Sequence, residues 1–219
     1  MDGPGINEKI RYGYAKAAEK LGQDFQLYRS PSMVNPIQAA NLVGTIKMVA
    51  TQAWDWMKGN KPGNAIWYIV VDGQASSSPI SANGGDFLVG DHTFFVLSKE
   101  YQLPMQGVET NATVQIIRPN QTTGAGLQPY GGYTPANSTL IVDQMPASIL
   151  FQSGRGSMAK TKLPTDTNQP TWIIMMPRLN GTDLRTGDVL IDETTQQYVL
   201  GVTESTEFGW RLTAQQMVN

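Results

Sequence analysis

The sequence predicts a mainly β protein, with an N-terminal helix and extended arm followed by two small β-barrel or β-sandwich units. Three observations predict it. Helical apolar spacing is clear over residues 7–21, whereas from residue 65 onward the apolar residues fall in short runs between Gly, Asp and Pro. Gly (22) and Pro (13) are frequent enough to supply many turns. Charged residues are 16% of the chain, below the ~25% of a typical soluble domain, so long solvated helices are not expected. The hydrophobic 40% is ample for a core.

The helix is expected over residues 7–21. Asn7 can cap it and Glu8 suits its first turn. Ile10, Tyr14, Ala17, Ala18 and Leu21 fall on one face, with Lys9, Lys16, Glu19 and Lys20 opposite. Gly22 is a natural stop. Gly13 weakens the helix by ~1 kcal/mol relative to Ala. A helix of this length is marginal alone, so it must pack on its own chain or on a partner.

Phe25–Arg29 alternates like a short strand, and Ser30-Pro31 and Asn35-Pro36 then force extended or turn geometry. Residues 41–52 read as a strand, with helix as the alternative. Residues 1–52 are therefore expected to form a helix and a docking arm that crosses a surface. A first β unit is expected over 53–118, with strands at Ile66–Val71, Phe87–Val89, Thr93–Ser98 and Ala112–Arg118 and a turn at Pro104–Gly107. Residues 119–138 form a Gly/Gln/Tyr-rich connector too polar to build a core. A second β unit follows over 139–219, with strands at Thr139–Val142, Trp172–Met176, Val189–Ile191, Tyr198–Val202 and Trp210–Thr213. Trp67 with Gly90-Asp91, and Trp172 with Gly187-Asp188, are what a duplicated β unit would leave. Coincidence in a β protein leaves the same pattern, so both readings stay open.

The composition excludes several chemistries. The chain has no cysteine, so disulfides, thiolate metal sites and cysteine nucleophiles are ruled out. His92 is the one histidine, beside Asp91 before an apolar strand, where a turn or strand-edge imidazole is expected rather than a triad base or a zinc ligand. Asp72, Asp86, Asp91, Asp183, Asp188 and Asp192 all fall at turns, where solvated turn carboxylates are expected before a calcium site or a hydrolase pair. The net charge of −2, without a basic stripe, argues against nucleic acid as a ligand. The apolar runs are too short to span a bilayer, and Met1–Asn7 does not read as a signal peptide. Asn111, Asn120, Asn137 and Asn180 start N-x-[ST] triplets, which an Asn/Thr-rich chain produces by chance. Trp54, Trp56, Tyr130 and Tyr133 are candidates for a sugar platform, although core or interface packing is the commoner use of such residues.

Several stretches carry a family resemblance. They are I-N-E-K-I-R-Y-G-Y-A-K-A-A-E-K-L-G-Q-D-F-Q-L-Y-R (6–29), W-Y-I-V-V-D-G (67–73), G-D-F-L-V-G-D (85–91) with T-F-F-V (93–96), I-I-R-P (116–119), M-P-A-S-I-L (145–150) and the segment 185–212. In this order they resemble a family of tailed-bacteriophage and prophage virion proteins. The resemblance implies a non-enzymatic structural subunit of the tail or neck, carried in the virion and assembled in the bacterial host cytoplasm. Its preferred placement is a tail adaptor linking the tail tube or nozzle to the tail fibres. The closing strand pattern also resembles small barrel proteins of head closure, so a neck position is the alternative, as is a carbohydrate- or receptor-binding module. The implied partners are other tail or neck subunits, tail fibres and copies of the chain around the tail axis, with no nucleic acid, no membrane, no cofactor and no metal. The family offers no catalytic residues to carry over. The interface residues expected on this reading are Ile10, Tyr14 and Leu21 of the helix, Phe25, Leu27 and Tyr28 of the arm, and Tyr130 and Tyr133 of the connector.

Overall fold

A computed structural model describes residues 3–52, 64–72, 80–100, 103–119, 138–152, 170–179 and 183–217. It shows the expected class: one N-terminal helix and two closed six-stranded barrels. The helix α1 spans Gly3–Leu21 and starts before the expected residue 7, because Pro4 is tolerated in a first turn, where its missing N–H is not needed. Barrel one contains β1 (Gln23–Tyr28), β2 (Leu42–Thr51), β3 (Ile66–Val71), β4 (Phe87–Val89), β5 (Thr93–Ser98) and β6 (Met105–Thr110). Barrel two contains β7 (Ala112–Pro119), β8 (Ser138–Gln152), β9 (Thr171–Met176), β10 (Val189–Asp192), β11 (Gln197–Thr206) and β12 (Gly209–Gln216).

Barrel two repeats barrel one. The strand order is β1-β2-β3-β6-β5-β4 in the first and β7-β8-β9-β12-β11-β10 in the second, each closing on its first strand. The registers agree as well. Trp67 lies opposite Gly107, which lies opposite Val96; Trp172 lies opposite Ala214, which lies opposite Leu200. Tyr28 pairs with Phe87 and Leu42, and Ile117 pairs with Val189 and Leu140. The tryptophans flagged in the sequence therefore hold equivalent places. The counterpart of Gly187-Asp188 is Gly85-Asp86, however, and not Gly90-Asp91.

The domain boundaries differ from those the sequence suggests. Residues 22–52 are not a free arm: β1 and β2 are staves of barrel one, and Phe25, Leu27, Ile46 and Met48 fill its core. Ala112–Pro119 opens barrel two rather than closing the first unit. Met105–Thr110 is a strand where a turn was expected at Pro104–Gly107, since Gly107 packs under Ile69 instead of turning the chain. Strand β8 runs on to Gln152 through Pro146. Proline is tolerated there because pairing with β9 begins only at Ser148, so no second neighbour asks Pro146 for an N–H.

An arm does exist, but it is shorter and lies on its own chain. Residues 30–37 leave barrel one and bridge barrel two, where Val34 pairs in parallel with Asp143. Asp143 N donates to Met33 O at 3.1 Å, and Asn35 N donates to Asp143 O at 2.8 Å. Met33 is buried in the core that both barrels share. Phe87, Phe95 and Val108 of barrel one join that same core, so β4, β5 and β6 are covered on both faces. This explains why Phe94-Phe95-Val96 is an unbroken apolar run rather than an alternating one.

A single residue separates the barrels. Asn111 N donates to Ala147 O at 3.0 Å. Its side chain imitates a backbone unit: Nδ2 donates to Ile149 O at 2.9 Å, and Ile149 N donates to Oδ1 at 2.8 Å. The amide of this sequon is thus engaged in holding the barrels together.

Candidate interaction surface

The surface that the sequence nominated is built on α1. Small residues seat the helix: Ala15 and Ala18 are buried where it packs on β2 and β3. Its end is set by close approach. A Cβ on Gly22 would lie 2.4 Å from Ala18 O and 2.9 Å from Met48 N, so only glycine lets the chain leave the helix directly into β1. The face turned to the barrel is therefore centred on Ala15 and Ala18 rather than on the predicted stripe. Ile10 and Tyr14 lie at its flank, half-buried. Leu21 is 77% exposed, Tyr12 57% and Ile6 45%. Ile6, Gly13 and Ala17 share the side away from the barrel at helical spacing, with Leu21 on the flank of Ile10 and Tyr14, and a Cβ on Gly13 would meet nothing within 4 Å. Beside this stripe Lys16 pairs with Glu19 at 2.7 Å and sits 5.7 Å above the Tyr12 ring. The bond to Glu19 raises the Lys16 pKa and lowers that of Glu19, on a surface where such a pair adds little stability.

The other nominated residues divide. Phe25 and Leu27 are core residues of barrel one, 5% and 0% exposed, and cannot serve a partner. Their strand is paired on both sides, by β2 and β4, so it cannot add to a partner sheet. Tyr28 is half-buried, and its hydroxyl donates to Gln26 Oε1 at 2.7 Å. Tyr130 and Tyr133 lie outside the described residues, as do Trp54 and Trp56.

The ionic sites are structural, and they are repeated. Arg29 follows β1 and forks onto Asp86, with Nε to Oδ1 at 2.9 Å and Nη2 to Oδ2 at 2.7 Å. Arg118 in β7 does the same to Asp188, at 2.8 and 2.9 Å. Each arginine also donates to a loop carbonyl, Ser81 O or Asp183 O. Each aspartate accepts a backbone N–H three residues upstream, from Asn83 or Arg185, at 2.8 Å. The glycine before each aspartate takes a positive φ, +85° at Gly85 and +91° at Gly187. The aspartates hold both arginine pKa values above the usual range. Asp86 and Asp188 are each 2% exposed, so they are buried clamps and not the solvated turn carboxylates expected. Sequence reasoning missed them. The usable signal was Arg-Ser-Pro and Arg-Pro after one strand, each matched by Gly-Asp-Phe-Leu-Val or Gly-Asp-Val-Leu-Ile.

Among the described residues, few other groups could do chemistry. Lys99 Nζ donates to Ser81 Oγ and Ala82 O, and burial, then Arg11, lowers its pKa. His92 is exposed on the β4–β5 turn with Nδ1 2.9 Å from Glu109 Oε1, as a strand-edge imidazole should be. An open groove of about 370 Å³ is lined by Gly22, Gln23, Asp24, Lys47, Gly90 and Asp91. Among the described residues, no three His, Asp or Glu side chains converge to hold a metal ion, and no helix is long and apolar enough to cross a membrane. No protein-family model, curated protein or solved structure matches the chain.

Proposed function

We propose that this protein is a non-enzymatic structural subunit of a tailed-bacteriophage particle, a tail adaptor that joins the tail tube or nozzle to the fibres. The observation that carries the reading is a helix that, among the described residues, is packed on one side only. Ala15 and Ala18 anchor it to barrel one, while Ile6 and Leu21 stay exposed. Two barrels joined by one residue, a shared core and the bridging arm give the body on which that face is presented. The resemblance of residues 6–29 and 185–212 to virion proteins supplies the particle; the helix supplies the contact.

Ile6→Asp and Leu21→Asp together should leave the fold unchanged, because exposed substitutions cost within ~0.5 kcal/mol. The pair should reduce incorporation into particles at least tenfold, read by immunoblot of purified virions. Incorporation at the wild-type level would remove the helix from the contact. Tyr14 is a poorer target than the sequence suggested, since it is half-buried against the chain itself.

A further inference from the structure

The helix α1 sorts its outward side chains by kind. Ile6, Gly13 and Ala17 form a middle stripe on the side turned from barrel one. Lys9, Lys16 and Lys20 stand three residues further on from each of these and form one flank, and all three are exposed. Ile10 and Leu21 stand four residues on from Ile6 and Ala17 and, with Tyr14, form the other flank. A Cβ on Gly13 would meet nothing within 4 Å, and Ala17 is exposed. The middle stripe is thus a low floor between a lysine wall and an apolar wall.

Charge is sorted as well. The helix carries Lys9, Arg11, Lys16 and Lys20 against Glu8 and Glu19, a net +2. The whole chain is −2, so everything outside the helix sums to −4. The surplus gathers at one end of the lysine wall. Glu19 is held below the usual carboxylate range by Lys16 first, then by Lys20 and by Lys47 of β2, so three ammonium groups share one carboxylate. The helix dipole accounts for Lys20 in the last turn, but not for Lys9 or Lys16.

We infer that α1 is the dock for an acidic, amphipathic segment of another virion protein, whose apolar residues lie against Ile6 and Leu21 and whose carboxylates face Lys9, Lys16 and Lys20. Charge complementarity names the chemistry, and the apolar wall beside the lysines names the amphipathicity. Lys9 and Lys20 are about 16 Å apart along the helix, so the occupant is a length of chain and not a single side chain. A bilayer is a poorer fit, because it needs a continuous apolar face and the lysines interrupt this one. A nucleic acid would be repelled by the −4 of the remaining chain and would leave Ile6 and Leu21 without apolar cover. The inference rests on the structural-subunit reading and adds the chemistry of the partner to it.

The experiment is photo-cross-linking in assembled particles, with p-benzoylphenylalanine in place of Gly13 in the full chain. After irradiation and digestion, the peptide joined to α1 should come from a different virion protein and carry net negative charge. A neutral or basic peptide, a peptide of a second copy of this chain, DNA, or no cross-link at all would overturn the inference. Each of those results still finds the protein in the particle, so the structural reading would stand. Wild-type protein absent from particles would overturn that reading, and the inference with it. A second measurement avoids a bulky probe at the contact. Lys16→Gln/Lys20→Gln should lower incorporation about fivefold at an unchanged melting temperature, whereas Glu19→Gln should leave incorporation at or above the wild-type level. Full incorporation of the lysine variant, or an equal fall for Glu19→Gln, would also overturn the inference.

Discussion

The two barrels have one topology and one register but different surroundings. At three equivalent positions barrel one carries Phe87, Phe95 and Val108, all buried against its neighbour. Barrel two carries Val189, Val199 and Gln215 there, of which Val189 is buried, Val199 half-buried and Gln215 exposed. The β1–β2 connection also differs: its residues 30–37 reach barrel two at Asp143, whereas on the matching stretch of barrel one the Ile80 side chain lies against Gly44. What is common to both, the strand order and the Arg–Asp clamp, is what the fold needs. What differs, the outer faces and the long connections, is where contacts with other chains are to be sought.

The clamps offer the largest test of that division. Asp188→Ala should cost about 3–5 kcal/mol in urea denaturation, because it leaves Arg118 facing a buried site and Arg185 N–H unpaired. Asp86→Ala should cost less, roughly 1–3 kcal/mol, since the Arg29 side chain is 43% exposed against 26% for Arg118 and can turn to water. Equal losses would mean that exposure of the arginine does not set the penalty.

Next in size is the position held by Gly107 in one barrel and Ala214 in the other. A Cβ on Gly107 would stand 2.0 Å from Ile69 Cδ1, so Gly107→Ala should cost about 1–3 kcal/mol by overpacking. The cost should shrink in an Ile69→Val background, which removes that carbon. Ala214→Gly should cost about 1 kcal/mol with no such partner effect.

The two turn glycines should behave alike. Gly85→Ala and Gly187→Ala both force a side chain into the left-handed region, at about 1–2 kcal/mol each. Gly85→Ala should be slightly the worse, because its Cβ would meet Leu179 at 3.2 Å while nothing lies within 4 Å at Gly187.

The smallest effect, a slope seen only at alkaline pH, separates Tyr198 from its counterpart Phe94. Burial, then Asp192, pushes the Tyr198 pKa from 10.0 up to about 12. The fold thus favours the neutral phenol. That contribution is whole below pH 10 and is lost as pH rises toward about 12. Tyr198→Phe should flatten the fall of the urea midpoint across this window; an unchanged slope would place the alkaline loss elsewhere.

Much of the fold was legible in the sequence, since short apolar runs between Gly-Asp turns mark strands and residues 7–21 mark a helix. Period-2 spacing shows which side of Phe25 and Leu27 is covered, but not whether the cover is the chain's own barrel or a partner, and so β1 read as an arm. Strand β6 was hidden because Pro104 and Gly107 look like a turn, when Gly107 instead makes room for Ile69. The clamps were hidden because Arg29 meets Asp86 only once the register is known. Of the candidate surface, Leu21, expected at an interface, is exposed in the structure. Ile6 was missed because it lay before the expected start of the helix.

The central claim is that the protein is part of a virion, and purified particles test it most directly. Denatured particles probed with antibody against this chain should give a band, and intact particles should carry gold label along the tail or at the fibre roots. Label confined to the head–tail junction would move the subunit to the neck. Denatured particles without the protein would contradict the account.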